Sequence, residues 1–149
     1  MSLAVVLVEP AGPLNVGSVA RLCANFAIEQ LRLGTRLRMD WQLAADLPMQ
    51  IRMPRLTLQP LFENAVIHGI AAMAEGGEIE VMLKHVDGQL QLTMSNPLPP
   101  GNATVGHGHA LDSIRRRLAL YYGARASLIE TAGNGRFSIQ LGIPNEPAA

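Results

Sequence analysis

Three polar residues, Glu63, Asn64 and His68, lie in the segment 58–70, whose other residues are mostly apolar. Apolar residues recur in this segment at helical spacing, which predicts a helix with one face against a core. They are Leu58, Leu61, Phe62, Ala65, Val66 and Gly69. Asn64 and His68 are one helical turn apart, so they should project from the same side, with Glu63 beside Asn64. The pattern favours a polar site on a core helix over a core helix that merely carries polar flanks.

The composition is that of a small protein without a charge bias. The chain has 149 residues, with 12 Lys and Arg against 12 Asp and Glu, and a single cysteine, Cys23. This length fits one domain over residues 1–149, and the balanced charge attracts neither nucleic acid nor an anionic membrane. A lone cysteine excludes an internal disulfide and fits a reducing compartment. The apolar N-terminal run is too short for a membrane span and lacks a basic flank, so we expect a soluble, cytoplasmic protein with no membrane partner.

Hydrophobic periodicity predicts the order of the elements. Residues 3–8 form an apolar run typical of a buried strand, and a helix capped by Asn15 follows. Residues 37–43 alternate, which predicts an antiparallel strand. Its inward residues would be Leu37, Met39, Trp41 and Leu43. Two hairpins are predicted, one joining residues 78–85 and 89–95 across Asp87-Gly88, the other joining 126–130 and 136–143 across Asn134-Gly135.

A second helical pattern separates the two hairpins and completes the predicted fold. Its apolar stripe consists of Leu111, Ile114, Leu118 and Tyr121. Gly123 is placed to end this helix. The segment 97–108, rich in Pro and Gly, is long enough to be a functional loop. We predict an α+β fold, a two-layer sandwich in which a mostly antiparallel sheet carries helices on one face, preceded by an N-terminal β-α extension.

Two motifs, in this order, resemble those of a known family. Residues 58–65 with His68 and Gly69 are similar to the N-box of the ATP-binding domain of LytS-type sensor histidine kinases. Residues 106–118, followed by Tyr122 and Gly123, are similar to that group's Gly-rich box and the helix after it. The resemblance covers about residues 28–144 and implies the histidine kinase and gyrase ATPase fold. It implies ATP and Mg²⁺ as ligands, and as partners a histidine phosphotransfer and dimerisation domain and a LytTR-family response regulator.

The resemblance implies roles for the polar residues. Asn64 corresponds to the N-box Asn that binds the Mg²⁺ bridging the phosphates, and a neutral amide oxygen suits this hard cation. Glu63 would hold a metal-bound water or the backbone, and His68 would reach a phosphate or the ribose. Asn96 stands where related ATPases carry an Asp that accepts a hydrogen bond from the adenine amino group. An Asn oxygen can accept that bond without charge assistance, but Asn96 could equally be a turn residue at a strand end.

The Gly-rich box would contribute the phosphate contacts. Glycines let backbone amides approach phosphate, and the positive N-terminus of the following helix attracts the same anion. The implied nucleotide contacts in this region are Gly106, Gly108, Leu111 and Arg117. Arg117 is the last of three consecutive arginines, which point about 100° apart on a helix, so at most one or two of them can face the site.

Three departures from the family pattern limit the predicted activity. Pro60 stands where ATP-hydrolysing relatives carry a general-base Glu, so we expect no efficient hydrolysis. Ile67 stands where many kinases carry a phosphate-binding Lys. No phosphoacceptor histidine with its dimerisation helices is recognisable ahead of the domain, so we expect no autophosphorylation by this chain alone.

A second resemblance covers only about the first 35 residues. Residues 4–10, 15–21 and 25–26 are similar to the opening strand and helix of SpoU/TrmH-type RNA 2'-O-methyltransferases. There an Asn and an Arg, here Asn15 and Arg21, contribute to the RNA and catalytic site, although a helix cap and a surface residue would explain both. The S-adenosylmethionine-binding half of that family has no counterpart. We therefore predict a chimera, natural or engineered, in which residues 1–34 pack on an ATP-binding region of residues 35–147.

Three functions remain open from the sequence. The first is a Mg-ATP-binding domain of a two-component sensor histidine kinase, a transferase domain that is inactive alone. The second is a folded structural or binding module with a degraded nucleotide site, and the third is a fragment of an RNA methyltransferase. Apolar surface left without dimerisation helices could also drive assembly into a homo-oligomer.

Overall fold

A computed structural model describes residues 29, 32–46, 54, 57–101 and 108–144 of the chain. Five strands form one sheet within this part: β1 (Leu37–Leu43), β2 (Gly77–Val86), β3 (Gln89–Pro97), β4 (Ser127–Gly133) and β5 (Arg136–Pro144). Helix α1 (Leu58–Asn64) continues into a π-helical turn (Ala65–Ile70), and α2 is Gly108–Tyr122. Short 3₁₀ turns precede β1 at Gly34–Arg36 and follow α2 at Gly123–Arg125. The strand and helix predicted in residues 3–26 lie outside the described residues.

The sheet is mostly antiparallel, as predicted, but its first strand is not. The strand order is β1-β2-β3-β5-β4, and β2 with β3, β3 with β5, and β4 with β5 all pair antiparallel. Strand β1 pairs parallel with β2, from Leu37 opposite Gly77 to Leu43 opposite Leu83. The prediction of an antiparallel β1 was wrong because α1 lies between the two strands in the chain. A strand, helix and strand crossover returns the chain in its original direction.

Both predicted hairpins are confirmed, with their turns at the predicted dipeptides. Asp87 and Gly88 have φ angles of 52° and 75°, and Asn134 and Gly135 have φ angles of 53° and 71°. Positive φ at both central residues is the geometry of a two-residue turn whose twist matches that of the flanking strands. The Asp-Gly and Asn-Gly sequences adopt this geometry at low cost, and they set the register of four of the five strands.

The core lies between one face of the sheet and the two helices. Alternate residues of the strands supply the sheet side, and the predicted stripe of α1 and its π-helical turn packs against it. The most deeply buried apolar residues of the sheet are Leu37, Ile79, Val81, Leu90, Met94, Phe137, Ile139, Leu141 and Ile143. They meet Leu61, Phe62, Ala65, Val66, Ile70, Leu111, Ile114, Leu118 and Tyr122 from the helices. No helix among the described residues is long and apolar enough to cross a membrane.

Two residues that were predicted to lie in the core, Leu43 and Tyr121, are exposed. Leu43 was predicted to face inward, but it is 60% exposed, because it ends a strand that has a neighbour on only one side within the described part of the chain. Tyr121 was predicted to complete the α2 stripe, but it is 49% exposed, whereas Tyr122 is 1% exposed. Both tyrosines fit the helical spacing from Leu118, and packing against the sheet selects the second one. Gly123 has a φ of 61° and ends α2, as predicted.

Burial of Tyr122 predicts alkaline instability. Desolvation raises the pKa of the Tyr122 hydroxyl above 10.0, and the neighbouring Tyr121 raises it further. In the unfolded chain the hydroxyl loses its proton near its ordinary pKa, so above pH 10 the unfolded state binds fewer protons than the folded state. The free energy of unfolding should therefore fall as pH rises from about 10 toward the folded pKa, by at most about 1.4 kcal/mol per pH unit.

The contribution of Tyr122 can be measured by thermal unfolding between pH 8 and pH 11, values chosen to bracket the ordinary tyrosine pKa of about 10. Tyr122→Phe should lose Tm with rising pH less steeply than the native chain. Tyr121→Phe, the change at the exposed neighbour, should keep most of the native slope. Equal slopes for Tyr122→Phe and the native chain would show that this hydroxyl does not control the alkaline response.

Candidate functional site

The α1 segment changes its helical geometry at the residues that were predicted to bind. Pro60 lies in the first turn, where a missing backbone donor costs no helical hydrogen bond. The Ala65 amide still donates to the carbonyls of Leu61 and Phe62. The Ala71 amide donates instead to the Val66 carbonyl at 2.8 Å, five residues back. Such π-helical turns are wider than α-helical ones and occur frequently at functional sites.

The three polar residues differ in exposure. Asn64 is buried, whereas Glu63 and His68 are exposed. The sequence placed Asn64 and His68 on one side because four residues make about one α-helical turn, and that spacing no longer applies where the turn is closed by five residues. Glu63 accepts a hydrogen bond from Gln59 Nε2 at 2.8 Å. Ile67, at the position of the kinase lysine, is 56% exposed.

Asn64 carries a buried polar atom that lacks a partner. Its side chain is 7% exposed, and its Nδ2 has no hydrogen-bond partner among the described residues. A buried amide without a partner loses about 1–3 kcal/mol of solvation, so such groups usually have a specific role. Rotation of the carboxamide by half a turn exchanges nitrogen and oxygen, so the same side chain can present either a donor or an acceptor. The side chain of Asn64 is therefore a candidate contact for a ligand atom.

Asn96 lies at the end of β3, on the face of the sheet that the π-helical turn covers. It is 2% exposed, and its Nδ2 donates to the Pro97 carbonyl at 2.9 Å. Gly69 packs directly on this side chain, since a Cβ added there would lie 2.9 Å from Asn96 Cγ and nearer still to Nδ2. Gly77 is equally crowded, because its Cβ would lie 2.7 Å from Pro97 Cγ. The corner formed by the π-helical turn, the end of β3 and the start of β2 has no room for added side chains.

The Gly-rich box is described only in part. Gly106 lies outside the described residues, and Gly108 is the first residue of α2. Leu111 is fully buried in the core, and Arg117 is half-buried. Arg115 pairs with Asp112 at 3.0 Å and with Glu130 of β4. At least one of the three consecutive arginines is thus directed to the far edge of the sheet, in line with the prediction that not all of them face one site.

The described residues contain no preformed metal site made of several protein ligands. No group of three or more His, Cys, Asp or Glu side chains comes together in the part of the chain that the structure describes. Mg²⁺ characteristically keeps several waters and takes only one or two protein ligands when phosphates supply the rest. A single buried amide such as Asn64 fits that mode of binding and does not fit a metal held by protein alone.

Two glycines at this corner, Gly69 and Gly77, were not predicted as residues of the site. Gly69 was assigned to the apolar stripe of the helix and to the N-box motif, but it was given no role at the site. A glycine at a buried helical position, where Ala is the better helix former, is the signal for a close approach of another chain segment. Gly77 carries no comparable signal, because a glycine at a strand end also occurs in ordinary turns.

Solved histidine kinases share this fold. The Acinetobacter baumannii histidine kinase AdeS superposes with a TM-score of 0.64 at 14% sequence identity, over 87% of this chain and 64% of that chain. The nucleotide-free catalytic domain of histidine kinase ThkA gives 0.63 at 14% identity, over 95% and 100% of the two chains. Full-length ShkA in complex with AMPPNP gives 0.59 at 18% identity, over 95% and 32%. The predicted α+β fold is confirmed as that of a histidine kinase catalytic domain.

Sequence similarity connects the chain to LytS sensor proteins. LytS of Enterococcus faecalis (strain ATCC 700802 / V583) is 29% identical over 138 residues, which cover 83% of this chain and 23% of that protein. LytS of Staphylococcus haemolyticus (strain JCSC1435) is 27% identical over 118 residues, which cover 70% and 20%. The chain therefore spans less than a quarter of the length of these curated relatives. No protein-family model matches the chain.

These similarities support the resemblance over the ATP-binding region. The relatives and structures named above are all sensor proteins or histidine kinases. The resemblance of the first residues to a methyltransferase, and the chimera inferred from it, gain no support from them. Residues 1–28 lie outside the described residues, so both statements stay predictions.

The contact between Gly69 and Asn96 can be tested by unfolding in urea. Gly69→Ala should lower the free energy of unfolding by about 1–3 kcal/mol, because the added methyl group overpacks the corner. The usual gain of up to about 1 kcal/mol from replacing Gly by Ala in a helix works against this loss and should be the smaller term. Gly133→Ala is the matched control, because no atom lies within 4 Å of a Cβ at that position.

A double-mutant cycle identifies the contacting partner. In an Asn96→Ala background, Gly69→Ala should cost much less, since the crowded side chain is gone. If Gly69→Ala costs the same in both backgrounds, the overpacking arises from another neighbour and the corner is assembled differently.

Proposed function

We propose that this chain provides the Mg-ATP-binding domain of a LytS-type sensor histidine kinase. The observation that carries the proposal is the unpartnered, buried Asn64 amide on the helix whose continuation packs against Asn96. It is supported by the histidine kinase fold and by the similarity to LytS proteins. The structure of ShkA bound to AMPPNP supports ATP as the ligand class, since that kinase holds an ATP analogue on the same fold.

In this proposal, Asn96 recognises the base. Its Nδ2 is engaged by the Pro97 carbonyl, so the side-chain oxygen is the atom that can accept a hydrogen bond from the adenine amino group. The neutral amide makes a weaker bond than the Asp of related ATPases would, because charge assistance is missing. Burial partly offsets the loss, since a hydrogen bond is electrostatically stronger away from water.

Asn64 would hold the Mg²⁺ that accompanies the phosphates. The metal would neutralise charge on the phosphates, and Asn64 would contribute one neutral oxygen to it. Glu63, beside Asn64 and exposed, would hold a water of the metal, while His68 would reach a phosphate or the ribose. Gly106 and Gly108 would let the backbone approach the phosphates at the start of α2, whose position the buried Leu111 fixes, and Arg117 would add positive charge.

The chemistry proposed for this site is phosphoryl transfer to a histidine on another domain. Catalysis of such transfers depends mainly on positioning the reacting groups and on neutralising the charge of the phosphates. Pro60 lies one turn before Asn64 and cannot accept a proton, so water is not activated and hydrolysis does not compete. The phosphoacceptor would belong to a histidine phosphotransfer and dimerisation domain, and a LytTR-family response regulator would receive the group in turn.

A second candidate is a folded module that has lost nucleotide binding. The exposed Ile67 favours it, because a hydrophobic side chain stands where related kinases place a phosphate-binding Lys. A neutral Asn96 at the base position points in the same direction. This candidate differs from the first in one measurable property, the affinity for Mg-ATP.

Calorimetric titration of ATP with and without Mg²⁺ tests the proposal. The native chain should bind Mg-ATP, and Asn64→Ala should weaken this binding roughly tenfold to a hundredfold through the loss of one charge-assisted contact. With EDTA present, the native chain and Asn64→Ala should bind ATP equally weakly. Gln140→Ala, which removes an amide from an exposed position of β5, should match the native chain throughout.

The alternatives give different results. No binding by the native chain at millimolar Mg-ATP would favour the module without nucleotide. A loss of affinity in Asn64→Ala that is equal with and without Mg²⁺ would assign Asn64 to the nucleotide or to folding instead of the metal.

A further inference from the structure

Arg136 makes a fork of hydrogen bonds across three strands on the outer face of the sheet. Its Nε donates to Ser95 Oγ at 3.0 Å, and its Nη2 donates to the Ser95 carbonyl at 3.3 Å. The same Nη2 lies 3.1 Å from Glu80 Oε1. Arg136 begins β5, Ser95 belongs to β3 and Glu80 to β2. One side chain therefore ties the central strand to both of its neighbours.

The hydrogen bonds from Arg136 reach Ser95, the residue next to Asn96. Side chains alternate along a strand, so Ser95 faces outward beneath Arg136 while Asn96 faces inward beneath the π-helical turn. The Ser95 carbonyl belongs to the peptide group that continues into the Asn96 nitrogen. On the other side, the Leu98 amide donates to the Gly135 carbonyl at 2.8 Å. Both flanks of Asn96-Pro97 are thus hydrogen-bonded to Gly135 and Arg136, at the turn that leads into β5.

The backbone ladder between β3 and β5 does not bond the pair formed by Pro97 and Arg136. These two residues lie opposite each other. The Leu98 amide bonds the Gly135 carbonyl at the next pair, and hydrogen-bonded and non-hydrogen-bonded pairs alternate in an antiparallel ladder, so the pair of Pro97 and Arg136 is non-hydrogen-bonded. The guanidinium of Arg136 adds donors at this point and bonds β3 two residues before Pro97, at Ser95.

The hydrogen bonds from Arg136 to Ser95 should stabilise this contact more than the ion pair between Arg136 and Glu80 does. The side chains of Arg136 and Glu80 are 36% and 44% exposed, and ion pairs at such positions contribute little. Ser95 is 8% exposed with Arg136 in place, so water competes little for the hydrogen bonds that it accepts from the guanidinium. Arg fits the role better than Lys because its planar fork can serve two acceptors at once.

We infer that Arg136 is a positioning residue for base recognition. By holding Ser95 from the outer face, it fixes the backbone of Asn96, whose side chain is held on the inner face by Gly69 and by the Pro97 carbonyl. The side-chain oxygen of Asn96 is then directed at a donor on the base, which adenine has and a 6-oxo purine lacks. This inference rests on the base-binding role proposed for Asn96.

Titration with Mg-ATP and Mg-ITP tests the role of Arg136, because inosine triphosphate replaces the adenine amino donor with an oxygen acceptor. Arg136→Met should lower the ratio of ATP to ITP affinity roughly threefold to tenfold, the worth of one hydrogen bond, while ITP affinity stays unchanged. Arg136→Lys should give an intermediate ratio. Arg38→Met is the control, since Arg38 is also an exposed arginine near a glutamate of β2, 4.0 Å from Glu78, and does not touch β3.

A second measurement does not need a nucleotide. The side-chain amide resonances of Asn96 in the free protein should shift in Arg136→Met and stay in place in Arg38→Met. If Arg136→Met does not fold, Ser95→Ala removes the Oγ acceptor alone and should lower the ratio and shift the resonances in the same direction, by less.

The outcomes separate this inference from the proposed function. If the native chain binds neither triphosphate, the proposed function fails, and the amide resonances still decide whether Arg136 positions Asn96. If the native chain prefers ATP and Arg136→Met, or Ser95→Ala in its place, keeps both the preference and the resonances, the positioning role is overturned. Equal losses of ATP and ITP affinity would also overturn it, because they indicate a general structural effect.

Discussion

The close approach of the π-helical turn to the end of β3 is the constraint on which the candidate site depends. Gly69 lies against the Asn96 side chain with no space for even a methyl group. This contact brings a segment that begins at Asn64 over the strand end that carries Asn96. Gly77 completes the corner by letting Pro97 and Ile70 approach the start of β2. Asn96 thus lies beneath the π-helical turn, and Asn64, the other buried amide, is the last residue of the helix that continues into that turn.

The buried polar groups of the candidate site are neutral amides. Asn64 and Asn96 are buried and have no charged partner among the described residues, whereas charged residues such as Glu63 and Arg136 are more exposed. Burying an unpaired charge is far costlier than burying an amide, so the free domain avoids that cost. A metal held by one amide is bound weakly until phosphates supply further oxygens. Under the proposed function, Mg²⁺ and ATP would therefore bind as one unit, each raising the affinity for the other.

Much of the fold could be predicted because it is set locally. The Asp87-Gly88 and Asn134-Gly135 turns and the stripe of α1 each depend on residues close in the chain, and all are confirmed. The predicted antiparallel direction of β1 was wrong. The direction in which a strand pairs depends on the segment that connects it to its neighbour, whereas the alternation of apolar residues shows only that a strand forms. Tyr121 was chosen over Tyr122 because both fit the helical period, and only packing separates them.

The candidate site was predictable in its residue types and not in its geometry. The motif containing Asn64 could be read from the sequence, but a five-residue hydrogen bond inside a helical pattern leaves no trace in apolar spacing, so the exposure of His68 was missed. The packing of Gly69 on Asn96 joins residues that are far apart in the chain. The fork of Arg136 depends on strand register, which fixes its place opposite Pro97. Such contacts follow from tertiary structure alone.

Hydrogen exchange with and without Mg-ATP tests most directly whether the corner around Gly69 and Asn96 is the nucleotide site. The account predicts slower amide exchange in the π-helical turn, at the end of β3 and in the first turn of α2 when Mg-ATP is added. It also predicts no change at the Asp87-Gly88 turn, which lies at the opposite end of β3. Protection confined to that opposite end, or no protection anywhere at saturating Mg-ATP, would contradict it.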